Sequence, residues 1–197
     1  MALLRPTRAS GSGGGSRARC RMRPPSLLLL ATALLGAPVR GADIREYQIK
    51  AVFLFNFAQF VDWPAGAFPQ PESPLVIGIL GEDPFGAYLD QAVRGETVNH
   101  RTLVIQRYRR VEDVAKCQIL FISRSEAGHL EQILSALRGQ SILTVSDADG
   151  FSREGGMIRF ATENNKIRLK INLEAARAAG LKISSKLLRP AEIVSKR

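Results

Sequence analysis

The stretch from Gly155 to Leu188 alternates apolar and polar residues, and it organises the reading of the chain. The apolar positions are Ile158, Phe160, Ile167, Leu169, Ile171 and Leu173, and the polar positions between the last four are Arg168, Lys170 and Asn172. A period of two residues is typical of strands that bury one face. The pattern therefore predicts two strands with Arg168 and Lys170 on the outward side.

The segment between these two strands has the composition of a turn. It reads Glu163-Asn164-Asn165-Lys166, and asparagine tolerates positive φ and hydrogen-bonds its own backbone. The strands are therefore predicted to form an antiparallel hairpin. A helix is expected from Leu173 to Ala179, with Gly180 in the position that commonly ends helices.

Continuous apolar runs predict a second kind of strand in the middle of the chain. The runs are Leu75–Leu80, Ile119–Ile122, Ile142–Val145 and the shorter Leu103–Ile105. Runs without alternation are typical of parallel strands covered on both faces. Helical patterns lie between them, at Phe85–Val93, Val111–Ala115 and Glu126–Leu137. The predicted fold class is α/β, a single-domain three-layer sandwich whose mainly parallel sheet carries a C-terminal antiparallel hairpin at one edge.

The first helix of this domain is predicted from Ile44 to Val61, before Trp63-Pro64. It is apolar around nearly its whole circumference, with one stripe made of Ile49, Val52, Phe53, Phe57 and Phe60. Such a helix is buried on most sides or takes part in an oligomer. Packing in the core is the simplest interpretation, and a pocket wall or a homodimer face is the alternative.

Charge changes the picture at the N-terminus. Residues 1–41 contain seven arginines and no acidic residue, so most of the net charge of +10 belongs to this leader. An arginine-rich region followed by the short apolar run Leu27–Leu35 is typical of a secretory signal peptide, with cleavage predicted before Ala42. The predicted division is a signal peptide at 1–41 and an exported α/β domain at 42–197. An uncleaved anchor and a start codon further downstream are the alternatives.

Cysteine usage leaves one thiol in the exported chain, because Cys20 lies in the leader. Cys117 directly precedes an apolar strand, which favours burial over pairing between chains. No internal disulfide can form in residues 42–197.

Three loops contain residue types that could form a site of chemistry. Asp83 lies in the loop 81–86, after a parallel strand, where α/β sheets often bind ligands, although capping of the next helix explains it equally well. The sequence Asp147-Ala148-Asp149-Gly150 resembles the start of a calcium loop without its closing glutamate, and is interpreted as a turn. The cluster Arg107–Arg110 is interpreted as a solvated loop, so no nucleic-acid partner is expected.

No catalytic, metal or cofactor site is predicted. His100 and His129 have no carboxylate or cysteine at ligand spacing, and the serines have no nucleophile-elbow context. An enzyme would need a site that the sequence does not display. A binding or regulatory protein is the better interpretation.

Three motifs resemble a known family. The segments GGMIRF and KIRLKINLEAARAAGLKISSKLL are very similar to the C-terminal signature of the YfiR family, KAVFLFNFAQFVDWP to its N-terminal signature, and ILTVSDADGF to its middle one. The resemblance implies a periplasmic repressor that binds the sensor domain of an inner-membrane diguanylate cyclase, restraining cyclic-di-GMP synthesis and biofilm formation. Disulfides found in some similar proteins are absent from this sequence, which removes the basis for redox control.

The resemblance also directs attention to particular residues. Arg168 and Lys170, with Glu163 at the adjoining turn, lie within the C-terminal signature and are predicted to bind the partner. Related chains accompany membrane histidine kinases, so a periplasmic small-ligand sensor is the alternative. Its pocket would be formed by Trp63, Phe68 and the 81–86 loop with Asp83.

Overall fold

The computed structural model describes residues 40–114 and 116–195. The predicted signal peptide lies outside the described residues, apart from its last two. The cleavage predicted before Ala42 therefore stays a prediction. The first helix, α1, runs from Arg40 to Phe60.

An eight-stranded sheet forms the centre of the domain. Its strands are β2 (Leu75–Leu80), β3 (Thr97–Val98), β4 (Arg101–Tyr108), β5 (Ile119–Ile122), β6 (Leu143–Ser146), β7 (Ile158–Glu163), β8 (Lys166–Asn172) and β10 (Glu192–Val194). They lie in the order β10-β8-β7-β6-β5-β2-β4-β3. The pairs β4–β2, β2–β5, β5–β6 and β6–β7 are parallel, and the β7–β8 hairpin is antiparallel. The predicted mainly parallel sheet with its hairpin is confirmed.

The sequence predicts the hairpin at the edge of the sheet, but the structure places another strand outside it. The short strand β10 pairs in parallel with β8, placing Glu192 beside Lys170. A strand of three residues has too few positions to show a period, which is why it was missed. A separate two-stranded sheet joins β1 (Val61–Asp62) to β9 (Lys182–Ile183).

Helices cover both faces of the large sheet, which confirms the three-layer arrangement. On one face lie α1, α2 (Ala87–Val93), α4 (Leu173–Ala178) and α5 (Ser185–Leu188), and on the other lies α3 (Leu130–Ala136). Each layer has its own apolar cluster. The first packs Leu54 and Phe57 of α1 on the sheet, and the second packs Leu130 and Ile133 of α3 together with the loop residue Phe151.

The stripe predicted for α1 is only partly buried. Within the stripe Phe57 is fully buried, whereas Ile49 and Val52 are about half exposed, at 52% and 51%; Leu54, outside the predicted stripe, is also fully buried. The helix is rotated so that Lys50 faces the interior. A helix with apolar residues around its whole circumference could pack on the sheet in several rotations about its axis. The buried position of Lys50 shows which rotation is adopted.

Several predicted helices are shorter than their patterns. Helix α2 begins at Ala87 rather than Phe85, because Asp83 Oδ1 accepts hydrogen bonds from the main-chain N–H groups of Phe85 and Gly86 and holds a turn there. The segment Val111–Asp113 is a single 3₁₀ turn, and a 3₁₀ segment at Arg124–His129 precedes α3.

Candidate functional site

The three residues predicted to bind a partner lie on one surface, which we call the outer face. It consists of the side chains of β7, β8 and β10 that point away from α1. In the hairpin register Arg168 lies opposite Ala161, Lys170 opposite Arg159, and Glu163 opposite Lys166. Glu163 and Arg168 are exposed. The alternation in the sequence therefore predicted this face correctly.

Lys170 is more deeply involved in the structure than its neighbours. Its Nζ atom lies 3.1 Å from a carboxylate oxygen of Glu163 and 3.1 Å from one of Glu192. Hydrogen bonds to Glu192 and to Glu163 raise the pKa of Lys170. Because these partners belong to β10 and β7, Lys170 links three strands. Only 23% of its side chain is exposed.

The outer face carries more positive than negative charge. Its cations are Arg159, Lys166, Arg168 and Lys170, and its carboxylates are Glu163 and Glu192. Among the described residues, Arg168 forms no ion pair within 4 Å, whereas Lys170 forms two. Arg168 is therefore the cation of the predicted set that is best placed to meet an acidic surface, because its charge is not neutralised within the domain.

The two aromatic residues proposed for a ligand pocket do lie together, at the amino end of β2. Trp63 and Phe68 line a small cavity of about 120 Å³ with Arg101. The Arg101 guanidinium lies 3.8 Å from the centre of the Phe68 ring, and the Trp63 indole donates a hydrogen bond to the Gln118 carbonyl at 3.2 Å. Pockets for small ligands usually measure ~300–1,000 Å³, so this cavity suits side-chain packing better.

The structure does not bring Asp83 to this cavity. The cavity includes Leu75, the first residue of β2, and Asp83 follows Leu80, the last one. Six residues of strand span roughly 17 Å. Asp83 instead accepts a hydrogen bond from Arg107 Nε at 2.7 Å. The three residues predicted as one pocket therefore lie at two ends of a strand.

A buried ion pair lies between α1 and the carboxyl end of β6, and the sequence reasoning missed it. Lys50 Nζ is 2.5 Å from Asp147 Oδ2, with side-chain exposures of 0% and 1%. Glu46, one turn earlier on α1, approaches the same Nζ atom at 2.5 Å. Removing ions from water is expensive unless they are paired and hydrogen-bonded. The loop that was interpreted as a simple turn thus supplies a buried carboxylate.

Two further side chains complete the environment of Asp147. The Tyr47 hydroxyl donates a hydrogen bond to Oδ2 at 2.8 Å, and burial together with this bond raises the pKa of Tyr47. Arg124 Nε lies 3.4 Å from Oδ1 and donates to the Asp147 main-chain carbonyl at 3.3 Å. Oδ1 itself has no hydrogen-bond donor among the described residues. The Arg124 side chain is largely exposed, whereas the Asp147 carboxylate that it approaches is buried.

The sequence contained a weak signal for this pair. Lys50 is a charge within an apolar helix, and Asp147 directly follows a buried strand. Charged residues are rarely buried without a partner, so a buried residue at either position is expected to pair with a residue of opposite charge. Nothing in the sequence, however, indicated which one.

A comparison with protein families places this geometry in context. Residues 47–192 match the YfiR/HmsC-like family, which is well over half of the chain. The chain belongs to the YfiR/HmsC-like family. The matched region contains Lys50 and Asp147 as well as the outer face. No curated protein matches the chain.

Within residues 40–114 and 116–195, no three His, Cys, Asp or Glu side chains lie close enough to hold a metal ion. No helix in the same part of the chain is long and apolar enough to cross a membrane.

Proposed function

We propose that this protein is a non-catalytic periplasmic regulator that restrains an inner-membrane signalling enzyme by binding the enzyme's sensor domain. The enzyme is a diguanylate cyclase of the cyclic-di-GMP pathway. Membership of the YfiR/HmsC-like family supports a periplasmic regulatory role. Regulation then follows from differential binding, since a partner that binds one of two enzyme states better shifts the balance between them.

The observation that carries the proposal is the outer face with its exposed Arg168. This face has an excess of cations, and helix α3 packs with apolar residues of β2 and β5 rather than with those of β7 and β8. Complementary charge contributes more to association rate and specificity than to affinity. We therefore expect the contacting surface of the sensor domain to be acidic.

The experiment titrates residues 42–197 against the purified periplasmic domain of the membrane enzyme encoded beside its gene. The variant Arg168→Glu is compared with Arg109→Glu, because both arginines are exposed. Arg109 directly follows β4, and four strands lie between β4 and β8 in the sheet. A loss of tenfold or more in affinity, about 1.4 kcal/mol, is expected for Arg168→Glu alone.

Two results would count against this assignment. Equal affinities for the wild type and both variants would remove the outer face from the interface, leaving α1 to be tested next. No binding of the wild-type protein to the neighbouring cyclase domain would reject that partner. A histidine-kinase sensor domain would then be titrated in the same way.

A further inference from the structure

A cleft of about 450 Å³ lies between the 150–155 loop and the carboxyl-terminal strands β8 and β10. Its charged lining residues are Arg153, Arg159, Lys170 and Glu192. Two of these cations are paired, Arg159 with Asp149 and Lys170 with Glu163 and Glu192, so the positive charge that the cleft offers to a ligand is mainly that of the exposed Arg153. Its volume lies within the range of ~300–1,000 Å³ that is usual for small-ligand sites.

Ser152 lines this cleft, and its buried hydroxyl lacks a hydrogen-bond partner among the described residues. The residue is only 6% exposed. Its position is fixed from two sides, because Asn172 Nδ2 donates to its main-chain carbonyl at 3.3 Å and the preceding Phe151 is fully buried. Buried polar atoms are nearly always hydrogen-bonded in folded proteins. The hydroxyl is therefore available for a hydrogen bond to a group that the described residues do not supply.

Arg159 brings a second buried polar atom without a partner to the same cleft. One terminal nitrogen of its guanidinium is bonded to Asp149, but its Nε has no acceptor among the described residues. A guanidinium presents several N–H donors in a fixed plane and binds carboxylate or phosphate groups well. Of the three buried polar atoms left without partners in the described chain, two belong to residues of this cleft.

We propose that the cleft binds a small organic anion through a carboxylate or phosphate group. The donors are the Arg159 guanidinium and the Ser152 hydroxyl, with Arg153 at the exposed rim. Glu192 does not oppose the anion strongly, because its carboxylate is paired with Lys170 at 3.1 Å. The site goes beyond the proposed regulatory function and does not depend on it, since binding is measured on this chain alone.

The test follows the amide NMR signals of residues 42–197 at constant ionic strength. The probes are inorganic phosphate, succinate and glucose 6-phosphate, and glucose serves as the neutral control for the last. Saturable shifts of the Ser152, Arg153 and Arg159 signals are expected with at least one anion and not with glucose. Ser152→Ala and Arg153→Gln should each weaken that binding by tenfold or more.

The matched control is Arg109→Gln, which removes an exposed arginine far from the cleft and should leave the affinity unchanged. Retention of a dispersed spectrum shows that each variant is folded. No saturable shift with any anion would overturn the proposal and would mean that water fills the cleft. Binding that Ser152→Ala and Arg153→Gln do not weaken would also overturn it, because the anion would then lie elsewhere.

Discussion

Lys50 and Asp147 form an ion pair of 2.5 Å although 97 residues separate them in the chain, and both side chains are closed off from solvent. The contact joins the centre of α1 to the end of β6. An apolar helix could pack in several rotations, whereas a buried charge pair has one acceptable geometry. We infer that this pair fixes how α1 lies on the sheet.

Substitution of Lys50 by methionine is expected to destabilise the fold strongly. It leaves the Asp147 carboxylate buried without its main counter-charge, a change that typically costs about 3–5 kcal/mol. The free energy of unfolding, measured by urea titration with circular dichroism, checks this value.

A matched lysine controls for the loss of the ammonium group. Lys166 is exposed, so Lys166→Met should change the free energy of unfolding by no more than ~0.5 kcal/mol. The double variant Lys50→Met/Asp147→Leu should recover part of the loss, because no charge remains buried. Equal stabilities for Lys50→Met and Lys166→Met would show that the pair contributes nothing.

The thiol of Cys117 should be inert in the folded protein. The residue is 2% exposed, and its Sγ–H donates to the Ile119 carbonyl at 2.8 Å. Burial raises the pKa of Cys117 to about 12, so little reactive thiolate forms near neutral pH. Alkylation by iodoacetamide at about pH 8 should be slow in the folded protein and fast in urea.

The same shift predicts a pH dependence of stability. The pKa of Cys117 is higher in the folded than in the unfolded state, so the neutral thiol stabilises the fold fully below the ordinary value of 9.0. That contribution falls as the pH rises from there towards about 12. Cys117→Ala should show a shallower alkaline decline than the wild type in urea titrations. Parallel curves would contradict the assignment, with Tyr47 then the main source of the decline.

The sheet could be predicted because its strands carry two distinct patterns. β2, β5 and β6 are buried along their whole length, and β2 and β5 are continuous apolar runs, whereas β7 and β8 alternate because α1 covers one face. Strand β10 could not be predicted, because its position depends on pairing with β8 at Lys170 rather than on a pattern in its own sequence.

The candidate sites divide in the same way. The shared outward position of Arg168 and Glu163 could be predicted because alternation determines which side chains share a face, and their role in binding stays a prediction. The partnership of Lys50 with Asp147 and the convergence of Ser152 and Arg159 on one cleft were not found, because each depends on how distant segments meet. Trp63 and Asp83 do not share a pocket, because Trp63 precedes β2 and Asp83 follows it, so the length of that strand lies between them.

Gly78 should be intolerant of a side chain. An added Cβ would lie 2.7 Å from a ring carbon of Tyr108 and 2.8 Å from the Cys117 sulfur. Overpacking of this kind costs about 1–3 kcal/mol. Gly78→Ala should lower the melting temperature, whereas Gly128→Ala, with no atom within 4 Å of its added Cβ, should not. Equal melting temperatures would mean that Tyr108 moves aside freely.

Export is the prediction on which the proposed partner depends. Sequencing the N-terminus of protein isolated from its own cells should give a start at or near Ala42, because the leader has the organisation of a signal peptide. A chain that begins at Met1 and remains in the cytoplasm would reject both the localisation and the periplasmic partner.

Charge reversal should have different consequences at Lys170 and Arg168. Lys170→Glu places a third carboxylate between Glu163 and Glu192 and breaks two ion pairs, each worth up to ~1 kcal/mol. Arg168→Glu alters an exposed side chain and should change stability by no more than ~0.5 kcal/mol. Thermal melting of the two variants should therefore show a lower melting temperature for Lys170→Glu alone.

A charge swap identifies the cause of that loss. In Lys170→Glu/Glu163→Lys the pair between β7 and β8 is restored with its signs exchanged, so part of the lost stability should return. If the double variant melts no higher than Lys170→Glu, the ion pair is not what stabilises the hairpin. The distinction matters for binding, because weaker binding by Lys170→Glu would reflect local distortion of the strands as readily as a lost contact. Arg168→Glu changes the outer face without disturbing the strands beneath it, so its affinity reports on recognition.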